Sequence, residues 1–375
     1  MHILYISEDY PYTKVHHELC NHLISAGTDV SITLYSVIRK KGLQVRDLRS
    51  SYDKNYDTIY YDFEDNLLRY KFDFSYKIKK KYDYLRQFDL SEISIVHAAT
   101  LFSEGAVAYQ LYKERGIPYI VSIRGTDINF YFKYMFHLWK LGLNILRNAS
   151  KIIFITEQSY NSFFNLGLIK RFQLNFRNKS YVIPNGVDDF WLNNVCLKKN
   201  NHNYKFIYIG VFDENKNVVS VMRELLKLSK LYPNLELYLV GGGGNQHNCV
   251  LDYCSLYPHI FHYMGKIYEK DKLCNLIRQC DVFTMVSHSE TFGLVYIEAL
   301  SQGLPILYTL GQGIDGVFKE NVGVGVVSTS SSSIYNGLLK IIKEYDSFVI
   351  PKLSILKKFS WKNIAQTYLN NIVNL

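Results

Sequence analysis

Short apolar runs alternate with longer amphipathic stretches along nearly the whole chain, which is the pattern of parallel strands joined by helices. In the first half, runs at 2–6, 30–35, 93–97, 118–123 and 151–155 read as strands. Helices fall between most of them, for example Ser103–Arg115 and 131–147. Residues 52–88 fit two templates. Tyr70, Phe72, Phe74, Tyr76 and Ile78 alternate as on a strand, whereas Tyr70, Phe74, Ile78 and Tyr82 share one helical face. At Pro184-Asn185-Gly186 the pattern changes, and a polar stretch over 198–203 reads as a linker. A second alternation follows, with strands at 204–209, 235–240, 260–264, 281–286 and 305–308 and helices at 216–231, 270–279 and 293–301. The serine run 328–333 reads as a loop that opens a helix from Ile334. The expectation is an α/β protein of two consecutive doubly wound units, over 1–184 and 185–355, with a last helix in 356–375.

Composition narrows the classes. A hydrophobic fraction of 48% and a charged fraction of 21% suit a globular protein. No window approaches the ~18 uninterrupted apolar residues of a membrane span. The N-terminus runs straight into Ile3, Leu4, Tyr5 and Ile6 without a basic flank or cleavage site, so a cytoplasmic location is expected. Cys20, Cys196, Cys249, Cys254, Cys274 and Cys280 form no Cys-x-x-Cys pair, which argues against a disulfide scaffold or a zinc site. The net charge of +9 is uneven. Residues 67–86 carry seven Lys/Arg and two Asp, and residues 130–151 carry four Lys/Arg and no acid. Both segments are rich in aromatics, so an anionic membrane surface is an expected partner of the first half.

Candidate chemistry concentrates in Ser287-His288-Ser289-Glu290-Thr291-Phe292-Gly293-Leu294-Val295-Tyr296-Ile297-Glu298. The stretch follows an apolar strand and opens a helix, so amides near Phe292, Gly293 and Leu294 stand at a positive helix end able to hold a diphosphate. Glu290 precedes the helix and Glu298 lies within it, which separates two carboxylates along one wall; carboxylates accept hydrogen bonds from sugar hydroxyls. Alone, such a pair reads first as a helix cap and a solvated helical charge.

The spacing of Glu290 and Glu298, with the inner Phe-Gly-Leu, the trailing Glu-Ala and Gly303-Leu304-Pro305, resembles the retaining glycosyltransferases of family four. Pro184-Asn185-Gly186-Val187-Asp188, Gly210 with Lys216, Gly241 to Gly244, Arg124-Gly125-Thr126-Asp127 and Phe359-Ser360-Trp361 fit the same family. The resemblance implies the GT-B fold, two Rossmann-like domains facing a central cleft, with the C-terminal helix crossing back to the first. It also implies a metal-independent, retaining transfer from a nucleoside-diphosphate sugar to a glycan or lipid-linked glycan, as in surface polysaccharide synthesis. Carried over, Glu298 binds the ribose and Phe292, Gly293, Leu294 and Thr291 the phosphates. Glu290 contacts the transferred sugar, and Lys216 neutralises the leaving diphosphate. Gly210, Gly241, Gly242 and Asn185 complete the donor side.

Three positions depart from the pattern. Val211 stands where the family has Arg, which leaves Lys14 and Arg124 as candidate replacements on the acceptor side. His97 falls in the family's His-x-His region as a candidate near the reacting sugar, but its partner position is Ala99. Asp127 is a candidate for an acceptor hydroxyl and also a good helix cap. The glycine run fails the dinucleotide pattern, since position 246 is Gln. There is no phosphate-loop motif, no Asp-x-Asp and no metal-ligand cluster in the sequence, so no cofactor or metal is expected. Two alternatives remain: an impaired binding protein on the same fold, suggested by Val211 and Ala99, and a nucleic-acid binder, for which no recognised motif speaks.

Overall fold

The computed structural model describes residues 1–27, 29–38, 56–62, 67–197 and 204–372; the linker expected at 198–203 lies outside them. The chain forms two units, Met1–Gly186 together with the segment from Trp361 onward, and Val187–Ser360. Each is built on one parallel sheet.

The first sheet contains β1 (His2–Ile6), β2 (Ser31–Ile38), β3 (Tyr56–Asp62), β4 (Ile95–Ala98), β5 (Tyr119–Ile123), β6 (Lys151–Phe154) and β7 (Ser180–Val182), in the order β3-β2-β1-β4-β5-β6-β7. Its central strands β4 and β5 are buried at every position, and mainly apolar, because both faces are covered. Alternate side chains divide between two cores, as the period of two requires. Ile3, Tyr5, Ile32 and Leu34 join Leu23 of the helix Lys14–Ala26 and Ile364 and Tyr368 of the C-terminal helix Trp361–Ile372. Leu4, Ile6, Tyr35 and Val37 face the helices Phe74–Leu85, Ser103–Arg115 and Trp139–Asn148. The chain leaves this unit at Gly186, where a Cβ would lie 2.4 Å from the Trp361 ring, so the return of the chain depends on glycine there.

The second sheet contains β8 (Lys205–Gly210), β9 (Glu236–Gly241), β10 (Phe261–Gly265), β11 (Val282–Thr284), β12 (Ile306–Thr309) and β13 (Gly323–Val326), in the order β10-β9-β8-β11-β12-β13. Helices Val218–Leu228, His247–Leu256, Lys270–Arg278 and Leu294–Ser301 lie between successive strands from β8 to β12, and Ser331–Lys343 follows β13. Chain order reverses between β1 and β4 in one sheet and between β8 and β11 in the other, and the carboxyl ends at such reversals are where open α/β sheets take ligands.

Three strands differ from expectation, and all are edges: β3, β7 and β13. Edge strands need no apolar run on both faces. In β13 the residues are Gly-Val-Gly-Val, because a Cβ at Gly323 would lie 1.9 Å from the Ile306 carbonyl oxygen. Within 67–86 the helical template holds: Leu67–Phe72 and Phe74–Leu85 flank Asp73, whose carboxylate accepts the Tyr76 amide at 2.9 Å as an N-cap. The single helix expected over 131–147 is broken at Met135.

Candidate active site

Two loops meet at the carboxyl ends of β8 and β11. The loop after β8 is folded by its own short polar residues. Asp213 Oδ1 accepts the Lys216 amide at 2.8 Å, and Asn217 takes a left-handed conformation (φ 56°). The buried Asn217 amide donates to the carbonyls of Val286 at 3.2 Å and Ser328 at 2.9 Å. Asn215 ties this loop to the next: its Nδ2 donates to the Ser289 carbonyl at 2.9 Å and its Oδ1 accepts the Ser289 amide at 3.0 Å. The result is a Lys216 Nζ to Glu290 Oε2 ion pair of 2.7 Å, with side-chain exposures of 25% and 13%. Glu290 is held further through its backbone, its amide donating to Gln312 Oε1 at 3.0 Å and its carbonyl accepting from Gly313 at 3.1 Å.

Three residues beyond Glu290 the chain turns at Gly293 (φ 74°), where a Cβ would strike the Tyr296 ring at 2.6 Å. The helix begins at Leu294, so the amides of Leu294 and Val295 have no intrahelical acceptor and point out of a positive helix end. Thr291 is exposed beside them and Phe292 is buried beneath. Glu298 lies half-buried within this helix. Burial pushes its carboxyl up to about 7; Asp188 adds to the rise and Lys270 opposes it, and those two form an ion pair with each other.

The glycine run lies on the other side of the β8 loop. Gly210 pairs with Gly241, and a Cβ at Gly241 would lie 1.8 Å from the Gly210 carbonyl oxygen. The Phe212 amide donates to Gly243 at 3.2 Å. Gly242 is buried near Tyr263, His247 and Lys266. Gly210, Gly241, Gly242, Lys216, Glu290 and Phe292–Leu294 are therefore carried at or just after the carboxyl ends of the neighbouring strands β9, β8 and β11. Val211 is 46% exposed, and its carbonyl accepts the Tyr208 hydroxyl at 2.7 Å. Sequence reasoning missed Asn215 and Gln312, and also Gln246 Oε1 and His247 Nδ1, two buried atoms without a partner beside the glycines. Asn215 adjoins Lys216 in sequence; the others carry no local signal.

The first unit treats its polar residues differently. His97 is closed from solvent, with Nε2 on Ser122 Oγ at 2.8 Å and Nδ1 on Tyr368 OH at 2.5 Å. Burial, with Arg124 nearby, pulls its pKa down to about 3. A neutral imidazole with both nitrogens engaged corrects the expectation of a histidine presented to a reacting sugar. Arg124 is half-buried, its Nε donating to the Ala99 carbonyl at 3.0 Å. Asp127 caps the next helix in space rather than its own: its carboxylate accepts the amides of Leu101 (3.2 Å), Phe102 (3.3 Å) and Arg124 (2.9 Å). Burial outweighs those amides and pushes its carboxyl up to about 7. A carboxylate so occupied is not presented to an acceptor hydroxyl. Lys14 is exposed at the start of its helix, and Asn185 belongs to the first unit, whereas the other donor-side candidates belong to the second.

The basic stretch 67–86 also needs correction. Lys81 is wholly buried, paired with Glu8 and with Glu104 at 3.4 Å, and donates to Ser103 Oγ at 2.8 Å. Lys77 pairs with Glu8 at 3.0 Å, and Tyr70 donates to Glu8 at 2.8 Å. Two of the cations counted toward an anionic surface thus point inward. Among the described residues no group of three or more His, Cys, Asp or Glu could hold a metal ion, and no helix is long and apolar enough to cross a membrane.

Two family models match back to back: Glycosyltransferase Family 4 over residues 13–189 and Glycosyl transferases group 1 over residues 190–352. Curated relatives align over parts of their length that range from 43% to 72% among the first three. One of them, the alpha-monoglucosyldiacylglycerol synthase of Acholeplasma laidlawii, is 22% identical over 280 residues, 69% of each chain. A sucrose-phosphate synthase structure from Thermosynechococcus elongatus superimposes with a TM-score of 0.72 over the full length of both chains at 17% identity. An Anabaena protein solved in complex with UDP does so with a TM-score of 0.68 over both full chains at 16% identity. The two-sheet architecture is that of the GT-B fold.

Proposed function

We propose that this chain, which belongs to the group 1 and family 4 glycosyltransferases, moves a sugar from a nucleoside-diphosphate sugar to a glycan or lipid-linked acceptor, with retention and without a metal ion. The observation that carries the reading is the Lys216–Glu290 ion pair set against the open start of the helix Leu294–Ser301. The amides of Phe292, Gly293 and Leu294 receive the diphosphate, whose charge the helix end favours. Glu298 accepts the ribose hydroxyls, and Glu290 accepts a hydroxyl of the transferred sugar. As the bond from the anomeric carbon to the phosphate oxygen breaks, Lys216 stabilises the charge left on the diphosphate. A diphosphate oxygen takes the proton of the acceptor hydroxyl, whose oxygen bonds to the same face of the anomeric carbon. With Val211 in place of an arginine, Lys216 and the helix amides supply the positive field on this side of the sheet.

The lipid part of the acceptor rests on the likeness to the Acholeplasma alpha-monoglucosyldiacylglycerol synthase and on the basic, aromatic-rich segment 130–151. The test is transfer from a panel of nucleotide sugars with excess chelator present. Transfer that survives chelation and yields the donor's anomer supports the reading. Loss on chelation with rescue by magnesium or manganese refutes the metal-free mechanism, and the opposite anomer refutes retention.

A further inference from the structure

The segment between β5 and β6 contains a feature that the transfer reading does not use. Its helix is interrupted: a wide turn over Asp127–Tyr131 leads into Phe132–Tyr134, the chain leaves the helix at Met135 (φ −106°, ψ 61°), and a new helix starts at Trp139. Such a break has no proline to cause it, so side chains must compensate the lost main-chain bonds. Trp139 does so, its Nε1 donating to the Phe132 carbonyl at 3.0 Å, the acceptor that an unbroken helix would pair with residue 136. The break is thus fixed by the fold.

Its consequence is a sorting of aromatics. Phe132 and Leu138 turn into the core, and Tyr131 stacks on Phe102 at 4.7 Å. Phe130, Tyr134 and Phe136 are put outside, 43%, 58% and 61% exposed. Three large aromatics held in water on one short segment are uncommon on a soluble surface without a partner. Lys133, Lys140 and His137 are exposed among them, and no acid occurs between Asp127 and Glu157. Beside the segment lies a crevice lined by Phe74, Ile78, Leu138 and Leu141 together with the polar Ser75, Gln110 and Lys113.

We propose that this aromatic-basic patch is the docking surface for an anionic lipid bilayer, with Phe130, Tyr134 and Phe136 entering the interface and Lys133 and Lys140 meeting the head groups. The chemistry favours lipid over a free glycan, because the two phenylalanines of the patch offer no hydrogen-bonding group and Lys133 and Lys140 beside them complement anionic head groups. Apolar insertion combined with attraction of lysines to anionic head groups is how peripheral segments hold a membrane surface. The proposal deepens the lipid-acceptor part of the reading above. Vesicle binding is measured apart from sugar transfer, so either can fail while the other stands.

The experiment is co-sedimentation of the full chain with phosphatidylglycerol-containing vesicles and with neutral phosphatidylcholine vesicles, at low and high salt. The wild-type chain should bind the anionic vesicles and lose them as salt rises. Tyr134→Ser/Phe136→Ser should weaken binding at least tenfold, and Lys133→Glu/Lys140→Glu about as much together with most of the salt dependence. Leu174→Ser, which removes an exposed apolar side chain elsewhere in the first unit, should bind as wild type. Unchanged circular dichroism and melting temperature in the two patch variants separate release from unfolding. Absent binding, equal binding to neutral vesicles, or undiminished binding by both patch variants overturns the proposal. So does a soluble glycan that binds the patch while vesicles do not.

Discussion

Both sheets bring charged residues to the carboxyl ends of their central strands, but with opposite treatment. At the end of β1 in the first unit, Glu8, Lys81 and Glu104 are shut from water and satisfied by one another, by Tyr70 and by Ser103. At the ends of β8 and β11 in the second, Lys216 and Glu290 form one partly exposed pair next to unpaired helix amides. Buried ion clusters of the first kind fix how loops and helices sit on the strands, and stranding one member is costly. Pairs of the second kind can exchange their partner for a ligand's charge at modest cost. The difference fits a structural role for one set of charges and, under the proposed function, a chemical role for the other, although both occupy the same place in a doubly wound unit.

The largest effect should come from breaking the buried set. Lys81→Met leaves Glu8 and Glu104 without their shared cation and should destabilise the first unit by about 3–5 kcal/mol. Chemical denaturation measures the loss, and the thermal shift produced by nucleotide should persist. Next, Lys216→Ala should lower turnover by about 10²–10³ while changing stability far less than Lys81→Met does. A stability loss as large as that of Lys81→Met would erase the contrast between the two sets.

The third effect is smaller and depends on pH. The carboxyl of Glu298 rises from its ordinary 4.5 to about 7, so folding favours its protonated form. Its contribution to stability is therefore full below about pH 4.5 and is lost as pH rises through 7. Hydrogen bonds from ribose hydroxyls favour the ionised form instead. Nucleotide affinity should therefore increase as pH rises through 7 and then level. Glu298→Gln should make that profile flat, as calorimetric titrations across the range would reveal.

The central strands of both sheets are legible in the sequence because burial on two faces leaves mainly apolar runs, whereas β7 and the glycine-bearing β13 lack them. The proposed donor-side residues are legible because Glu290 through Glu298 form one contiguous strand-to-helix junction. Asn215 and Gln312 are not, since they act across 74 and 22 residues of chain. His97 illustrates the same limit from the other direction. Its place at the end of β4 is readable locally, but its partner Tyr368 lies 271 residues away and decides that it is a core histidine. Lys77 belongs with it, turned inward by Glu8 at a separation of 69 residues.

The division of labour between the two glutamates is the most direct test of the account, because it separates nucleotide binding from transfer at a single strand-to-helix junction. Calorimetric titration of UDP into the wild type, Glu298→Ala and Glu290→Ala, paired with turnover of the sugar donor, measures both. A charged acceptor on a ribose hydroxyl contributes roughly 1.5–3 kcal/mol, so Glu298→Ala should bind UDP about ten- to a hundredfold more weakly. Glu290→Ala should hold UDP nearly as well as the wild type while transfer collapses. Equal loss of UDP affinity in the two variants, or full turnover by Glu290→Ala, would contradict the assignment.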